Sequence, residues 1–229
     1  MADPFPVNPR PTTPDWDPAF FDASYYGQGG RGGFREYDYQ SAGQQGQLDL
    51  KRSLCCRIPH ESALFIGCAR GYEVAHWIRH GTPAAGVDVS EWAIAHQVPE
   101  AMGRCQLYNG WQLTGFEDRS VDLVAAFDVL TLVPDEMLYK LIAEMQRVAA
   151  KAIVIRTIVK NWRNATRLVD GQDGAWFRYL PLTEWDRLFT ESGPFILDSY
   201  AMAWNYECFL TFARVAHDDP RMRHLLADR

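Results

Sequence analysis

The stretch Ala63-Leu-Phe-Ile-Gly-Cys-Ala-Arg-Gly71 constrains the fold more than any other part of this chain. A short apolar run breaks into a small, glycine-rich turn, and the following segment, Tyr72–His80, has helical spacing with Val74, Ala75, Trp77 and Ile78 on one side. Strand, tight turn and helix follow within eighteen residues. Gly67 lets the backbone turn sharply, and Ala69 and Gly71 keep bulk away from the helix N-terminus. A second apolar strand, Ala84–Val89, ends on an acid, and Asp88 stands 21 positions after Gly67. That is the spacing at which a carboxylate at the end of a second strand holds the two hydroxyls of a ribose.

The rest of the chain repeats the pattern. Ser90 is a suitable N-cap for a helix through Glu91–Ala95. Arg104–Tyr108 reads as a short third strand, with Asn109, Gly110 and Trp111 as its loop. Val121–Phe127 is an almost unbroken apolar run, as expected of a central parallel strand covered on both faces. Pro134, Asp135 and Glu136 then open a helix with Leu138, Leu141, Ile142 and Met145 at helical spacing. Ala152–Thr157 is the fifth strand and Thr183–Phe189 another amphipathic helix. Phe195–Ala201 and Tyr206–Arg214 are joined so briefly that they must be antiparallel neighbours. Five strand–helix steps and a hairpin predict an α/β fold with a doubly wound, mainly parallel seven-stranded sheet, the hairpin adding an antiparallel strand at an edge. In such sheets ligands sit beyond the carboxyl ends of the strands, where strand order reverses. The 67–71 turn, Asp88, Asn109 and Phe127–Val129 should therefore line one crevice.

Ahead of this domain lies a proline-rich tail over residues 1–18. Residues 19–58 form a cap. In it Phe20, Phe21, Tyr25, Tyr26, Phe34, Tyr37 and Tyr39 are interleaved with Gly27, Gly29, Gly30, Gly32 and Gly33. Glycine at that density opposes regular structure, and aromatics at that density need a surface to cover, so the segment reads as a flap over a ligand. Residues 40–57 read as a helix that contributes Leu48, Leu50, Leu54 and Ile58 to the core and ends at Pro59. The main domain spans 59–216, and 217–229 is a polar tail.

Composition narrows the partners. A net charge of −6 without a Lys/Arg cluster argues against nucleic acid. No apolar run reaches the ~18 residues that span a bilayer, so no membrane partner is expected. The N-terminus shows no secretory pattern. The five cysteines have no CxxC spacing and read as reduced, mostly buried thiols of a cytoplasmic protein, monomeric or dimeric, acting on a small molecule. His76 and His80 are four apart, with Glu73 on the same face. No third ligand group is visible in the sequence, so they read as an exposed helix face and no metal is expected. Cys55 and Cys56 read as core packing, and Asp122 as a structural acid at the start of its strand.

The segment Leu64–Thr157 resembles the class I S-adenosylmethionine-dependent methyltransferase superfamily. The resemblance rests on Gly86-Val-Asp-Val-Ser-Glu-Trp-Ala-Ile94, Phe116-Glu-Asp-Arg-Ser-Val-Asp-Leu-Val124, Phe127-Asp-Val-Leu130 and Arg147-Val148. It implies S-adenosylmethionine as cofactor. Gly67, Cys68, Ala69 and Gly71 would lie at its methionine part, Asp88 and Val89 at the ribose, Asn109, Gly110 and Trp111 at the adenine, and Phe127 at the ribose or sulfonium. Tyr26 of the flap, Asp128 and Tyr179 are the catalytic candidates, and Tyr25 and Tyr37 of the flap, with Trp176 and Arg178 in the loop that covers the acceptor site in a fold of this kind, are the candidate acceptor contacts. The chain departs from the family in carrying Phe65 where an acid is usual, Ala69 where glycine is usual, and Leu132 where many relatives have histidine. Two activities follow from the resemblance: methyl transfer to a small biosynthetic metabolite, or a cyclase or lyase reaction of the cofactor's aminobutyrate arm. A non-catalytic binding protein is the third reading.

Overall fold

The computed structural model describes residues 17–27, 39, 41–159, 180–202, 207–216 and 219–220. Its elements are α1 (Ala23–Tyr26), α2 (Ala42–Cys55), β1 (Ala63–Ile66), α3 (Tyr72–Arg79), β2 (Ala84–Asp88), α4 (Glu91–Ala95), β3 (Cys105–Leu107), β4 (Val121–Phe127), α5 (Asp135–Val148), β5 (Ala149–Ile158), α6 (Leu182–Glu191), β6 (Phe195–Met202) and β7 (Glu207–Arg214).

The seven strands form one sheet in the order β3-β2-β1-β4-β5-β7-β6. β1 pairs in parallel with both β2 and β4, and β4 with β5. The chain therefore runs outward from β1 through β2 to β3, then returns to the other side of β1 with β4. The reversal point lies between β1 and β4, and it sets the crevice above their carboxyl ends.

The hairpin departs from the expected arrangement. β7 pairs antiparallel with both β5 and β6, so the antiparallel strand is the inner one and β6 takes the edge. Burial explains the order. Cys208–Thr211 and Phe212 of β7 are all buried, as an inner strand requires, whereas β6 alternates, with Tyr200 and Met202 exposed. An apolar run in the edge position would have left its surface in water.

The two faces of the sheet carry separate cores. On one, Ile66, Val124, Ile153 and Ile155 pack with Leu138, Leu141, Ile142 and Met145 of α5 and Trp185 and Phe189 of α6. On the other, Phe65, Ala125 and Val154 pack with Leu48 of α2 and Val74 and Trp77 of α3. α2 starts in a capping box between Ser41 and Gln44. It ends at Cys55, earlier than Pro59: the Arg57 and Ile58 amides bond three residues back and tighten the chain before the proline is reached. The vicinal cysteines divide, with Cys55 buried and Cys56 exposed. His76 is also not on an exposed face: it is only 3% accessible, because α2 covers that side of α3. Among the described residues no helix is long and apolar enough to cross a membrane.

Candidate functional site

Tight packing accounts for the glycines of the 67–71 turn. Gly67 has φ 67°, and a methyl group there would come within 2.1 Å of Val129 Cγ2 in the loop after β4. Gly71 has φ 83° and faces Ala101 and Cys105. A methyl on Gly86 would fall 2.5 Å from Cys68 Cβ, so the Cys68 side chain is turned into the core under β2, and burial pushes its thiol well up. Cys68 can therefore offer only backbone to a ligand. Ala69 occupies the left-handed region, φ 48°, where the family usually has glycine.

Asp88 ends β2 against this turn. Its Oδ2 accepts the Ala69 amide at 2.7 Å and its Oδ1 the Ser90 amide at 2.8 Å. Burial raises its carboxyl to about 6, against the lowering effect of the Ser90, Ala69 and Val89 amides. A carboxylate offers about four acceptor positions. The Ala69 and Ser90 amides take two of them and the Val89 amide also faces the carboxylate, so capacity for at least one further donor is left. Val89 follows, half-buried.

The cap segment is docked on the same place. Phe20, Phe21, Tyr25 and Tyr26 cluster on Ala69, Ala93 and Trp92. The Ser90 hydroxyl donates to the Phe21 carbonyl and accepts the Ala93 amide that caps α4. Tyr26 stacks on Trp92 with centroids 5.4 Å apart and is hydrogen-bonded to the Ser90 side chain. Burial, then the Asp88 charge, raises the Tyr26 phenol far above its ordinary value. Tyr26 is thus a proton-bearing donor near Asp88 and is unsuited to be a general base. Tyr25 is held inside the aromatic cluster, edge-on to Phe21 at 4.9 Å.

At the carboxyl ends of β4 and β5 lies a charge network. Asp128, with φ 61°, is gripped by Arg156 through Nε at 3.0 Å and Nη2 at 2.9 Å. Arg156 Nη2 also reaches Glu207 at 3.2 Å. Burial lowers the Arg156 pKa, but the Asp128 and Glu207 charges outweigh it and keep the guanidinium charged. Asp128 therefore serves as an ion-pair partner, which removes it as a free base. Across Phe127, Lys51 of α2 pairs with Glu73 of α3 at 2.5 Å, and its Nζ lies 5.1 Å from the Phe127 ring. Burial opposes the Lys51 charge, yet Glu73 raises its pKa overall. Phe65 fills the usual position of an acid with a ring that is 2% exposed, edge-on to Trp77 at 4.8 Å and 6.1 Å from Phe127.

Sequence reasoning missed Lys51, Arg156 and Glu207, and treated Glu73 only as part of a helix face. The signals were present. Arg156 is a charge at the end of the apolar run Ala152–Ile155, and Lys51 falls between Leu48 and Leu54 on the buried stripe of α2.

Beyond β3, the Asn109 side chain accepts the Gln112 amide at 2.8 Å and turns the loop through Gly110 at φ 92°. Trp111 packs toward α5 with Lys140 Nζ 5.3 Å from its ring. A groove of about 370 Å³ runs between Val87, Tyr108, Asn109 and Leu113. A wider hollow of about 580 Å³ lies between Ile58, Lys151 and Arg214, at the amino ends of the strands and away from the turn. Asp122 is at that end too, accepting the Glu61 amide and pairing with Lys151, a structural role as expected. Tyr37, Trp176, Arg178 and Tyr179 lie outside the described residues.

Residues 64–152 match the family model described as a methyltransferase domain. The match covers the strand–turn–helix core and the strands that follow it, about two-fifths of the chain, and supports a class I S-adenosylmethionine-dependent methyltransferase fold. The match supports S-adenosylmethionine as the cofactor. The fold agrees with solved structures at low identity. A protein from Pyrococcus horikoshii OT3 superposes with TM-score 0.65 at 18% identity, covering 78% of this chain and 94% of that one. Magnesium protoporphyrin IX methyltransferase from Synechocystis PCC 6803, with bound S-adenosylhomocysteine, gives 0.59 at 16%, covering 75% and 85%. The cyclase SpnF gives 0.60 at 16%, covering 78% and 84%. No curated protein matches the sequence. The matched segment includes the glycine turn and Asp88 beside it.

Proposed function

We propose that the chain is a methyltransferase acting on a small-molecule metabolite. The observation that carries this reading is Asp88 at the end of β2, facing the 67–71 turn under a docked aromatic cap. S-adenosylmethionine supplies an electrophilic methyl group on sulfur. The protein's part is to hold the ribose at Asp88, keep water out with the Phe20–Tyr26 cluster and align a nucleophile. The net charge of −6 supports a small acceptor over a nucleic acid.

A second reading is favoured by Phe65 and Lys51. Phe65 places no carboxylate where the family has one, and the nearby acid Glu73 is already paired with Lys51. An ammonium group in the crevice then lacks the negative charge that would keep it protonated. A neutral amine can attack the γ-carbon of its own aminobutyrate arm. The new C–N bond forms as the C–S bond breaks, 5′-methylthioadenosine leaves with the electron pair, and the amine proton passes to solvent. Incubating the protein with S-adenosylmethionine alone separates the two. Methyl transfer predicts almost intact cofactor, with S-adenosylhomocysteine as any product. Enzyme-dependent 5′-methylthioadenosine above the spontaneous background would replace the first reading with the second.

A further inference from the structure

We propose that Asp49, His76 and His80 form a site for a divalent transition-metal ion that clamps α2 to α3. It is separate from the cofactor crevice and independent of the reaction proposed above.

His76 lies on α3 and His80, one turn on, caps its C-terminus, with ring centroids 4.4 Å apart. α2 brings Asp49 against them, and one ligand atom from each of the three residues lies within 4.8 Å of the others. His76 Nε2 stands 3.3 Å from Asp49 Oδ1. That matches the edge of a tetrahedron with metal–ligand bonds of about 2.0 Å, which is about 3.3 Å long. His76 is only 3% exposed, yet its Nε2 makes no hydrogen bond. A buried ring nitrogen that faces a carboxylate without a hydrogen bond is poorly satisfied, and a metal ion between the two would satisfy both. His80 Nδ1 lies 2.8 Å from the His76 carbonyl. Donation there places the proton on Nδ1 and leaves the Nε2 lone pair free, the usual outer-shell arrangement of a ligating histidine.

The surrounding charge narrows the ion. Arg52 and Arg79 face His76, while Arg79 points to Glu100 at 3.7 Å. Two cations and a single carboxylate discourage a hard, oxygen-seeking ion such as Ca²⁺. Two imidazoles and one carboxylate suit Zn²⁺, Co²⁺ or Ni²⁺. Asp49 is two residues from Lys51, and His76 three from Glu73. Metal at this point would hold together the two helices that carry the buried ion pair of the crevice.

The test uses tag-free, chelator-stripped full-length protein titrated with Co²⁺. The expected result is one ion per chain, visible d–d absorption without thiolate-to-cobalt charge transfer, and a raised Tm. His80→Ala and Asp49→Asn change exposed groups and should keep the fold by circular dichroism. Each should weaken binding about tenfold or more, at least the loss typical of an outer-shell partner. A Cys56→Ser variant should bind as tightly as wild type. No stoichiometric binding, affinity unchanged in both ligand variants, or a thiolate band lost in Cys56→Ser would each overturn the proposal.

Discussion

Lys51 of α2 and Glu73 of α3 form an ion pair at 2.5 Å with the lysine side chain only 3% exposed. Removing one member leaves the other charged and buried. Lys51→Ala should therefore destabilise the protein by about 3–5 kcal/mol. The double variant Lys51→Met/Glu73→Leu should recover most of that loss, since a buried pair replaced by apolar groups is often neutral. Urea denaturation of the three proteins tests this, and a single variant as stable as wild type would show that the pair is solvated.

Gly67 is required by both its dihedral and its neighbour. Gly67→Ala puts a methyl group into Val129 and adds left-handed strain. The expected loss is about 2–4 kcal/mol, combining strain with overpacking. Adding Val129→Ala should restore the packing part and leave the strain. Equal stability of the single and double variants by thermal unfolding would rule out the contact.

Ser90 ties the cap to the end of β2. Ser90→Ala removes the N-cap of α4 and the bond to the Phe21 carbonyl. Stability should fall by about 1 kcal/mol. Amide exchange over residues 20–27 should rise well beyond the global change. Exchange that rises only as much as in the rest of the domain would show that the aromatic cluster docks without Ser90.

The strand–turn–helix core was readable because its signals are local. Gly67, Asp88 and the Ser90 cap each follow from residue type and short spacing, and the structure brings them together. The placement of β7 inside β6 was not read, because it depends on the relative apolarity of two strands competing for one position. The charge network was missed because its members are far apart in the chain. Lys51 and Glu73 are 22 residues apart, and Arg156 and Glu207 are 51 apart. Their pairing exists only once the sheet and the helices have formed. For the same reason Asp49 was invisible as a neighbour of His76.

Cofactor affinity should depend on pH through Asp88. Its folded-state carboxyl titrates at about 6, above the ordinary 3.8, so the folded protein retains its proton to higher pH. That protonation contributes stability below about pH 4 and is lost as pH rises through 6. Ribose hydroxyls donate to the ionised carboxylate, so binding runs in the opposite sense. Affinity for S-adenosylhomocysteine should be flat above pH 7 and fall about tenfold per unit below pH 6. Calorimetry from pH 5 to 8 measures the slope, and a flat profile would show that Asp88 does not titrate in the binding equilibrium.

The central claim is that Asp88 holds the cofactor ribose in the crevice between β1 and β4. Isothermal titration of S-adenosylhomocysteine into wild type and Asp88→Ala at pH 7.5, with folding checked by circular dichroism, tests it most directly. The account predicts a loss of about 1.5–3 kcal/mol in the variant, the scale of hydrogen bonds to a charged group. Unchanged affinity in a folded Asp88→Ala protein would contradict it.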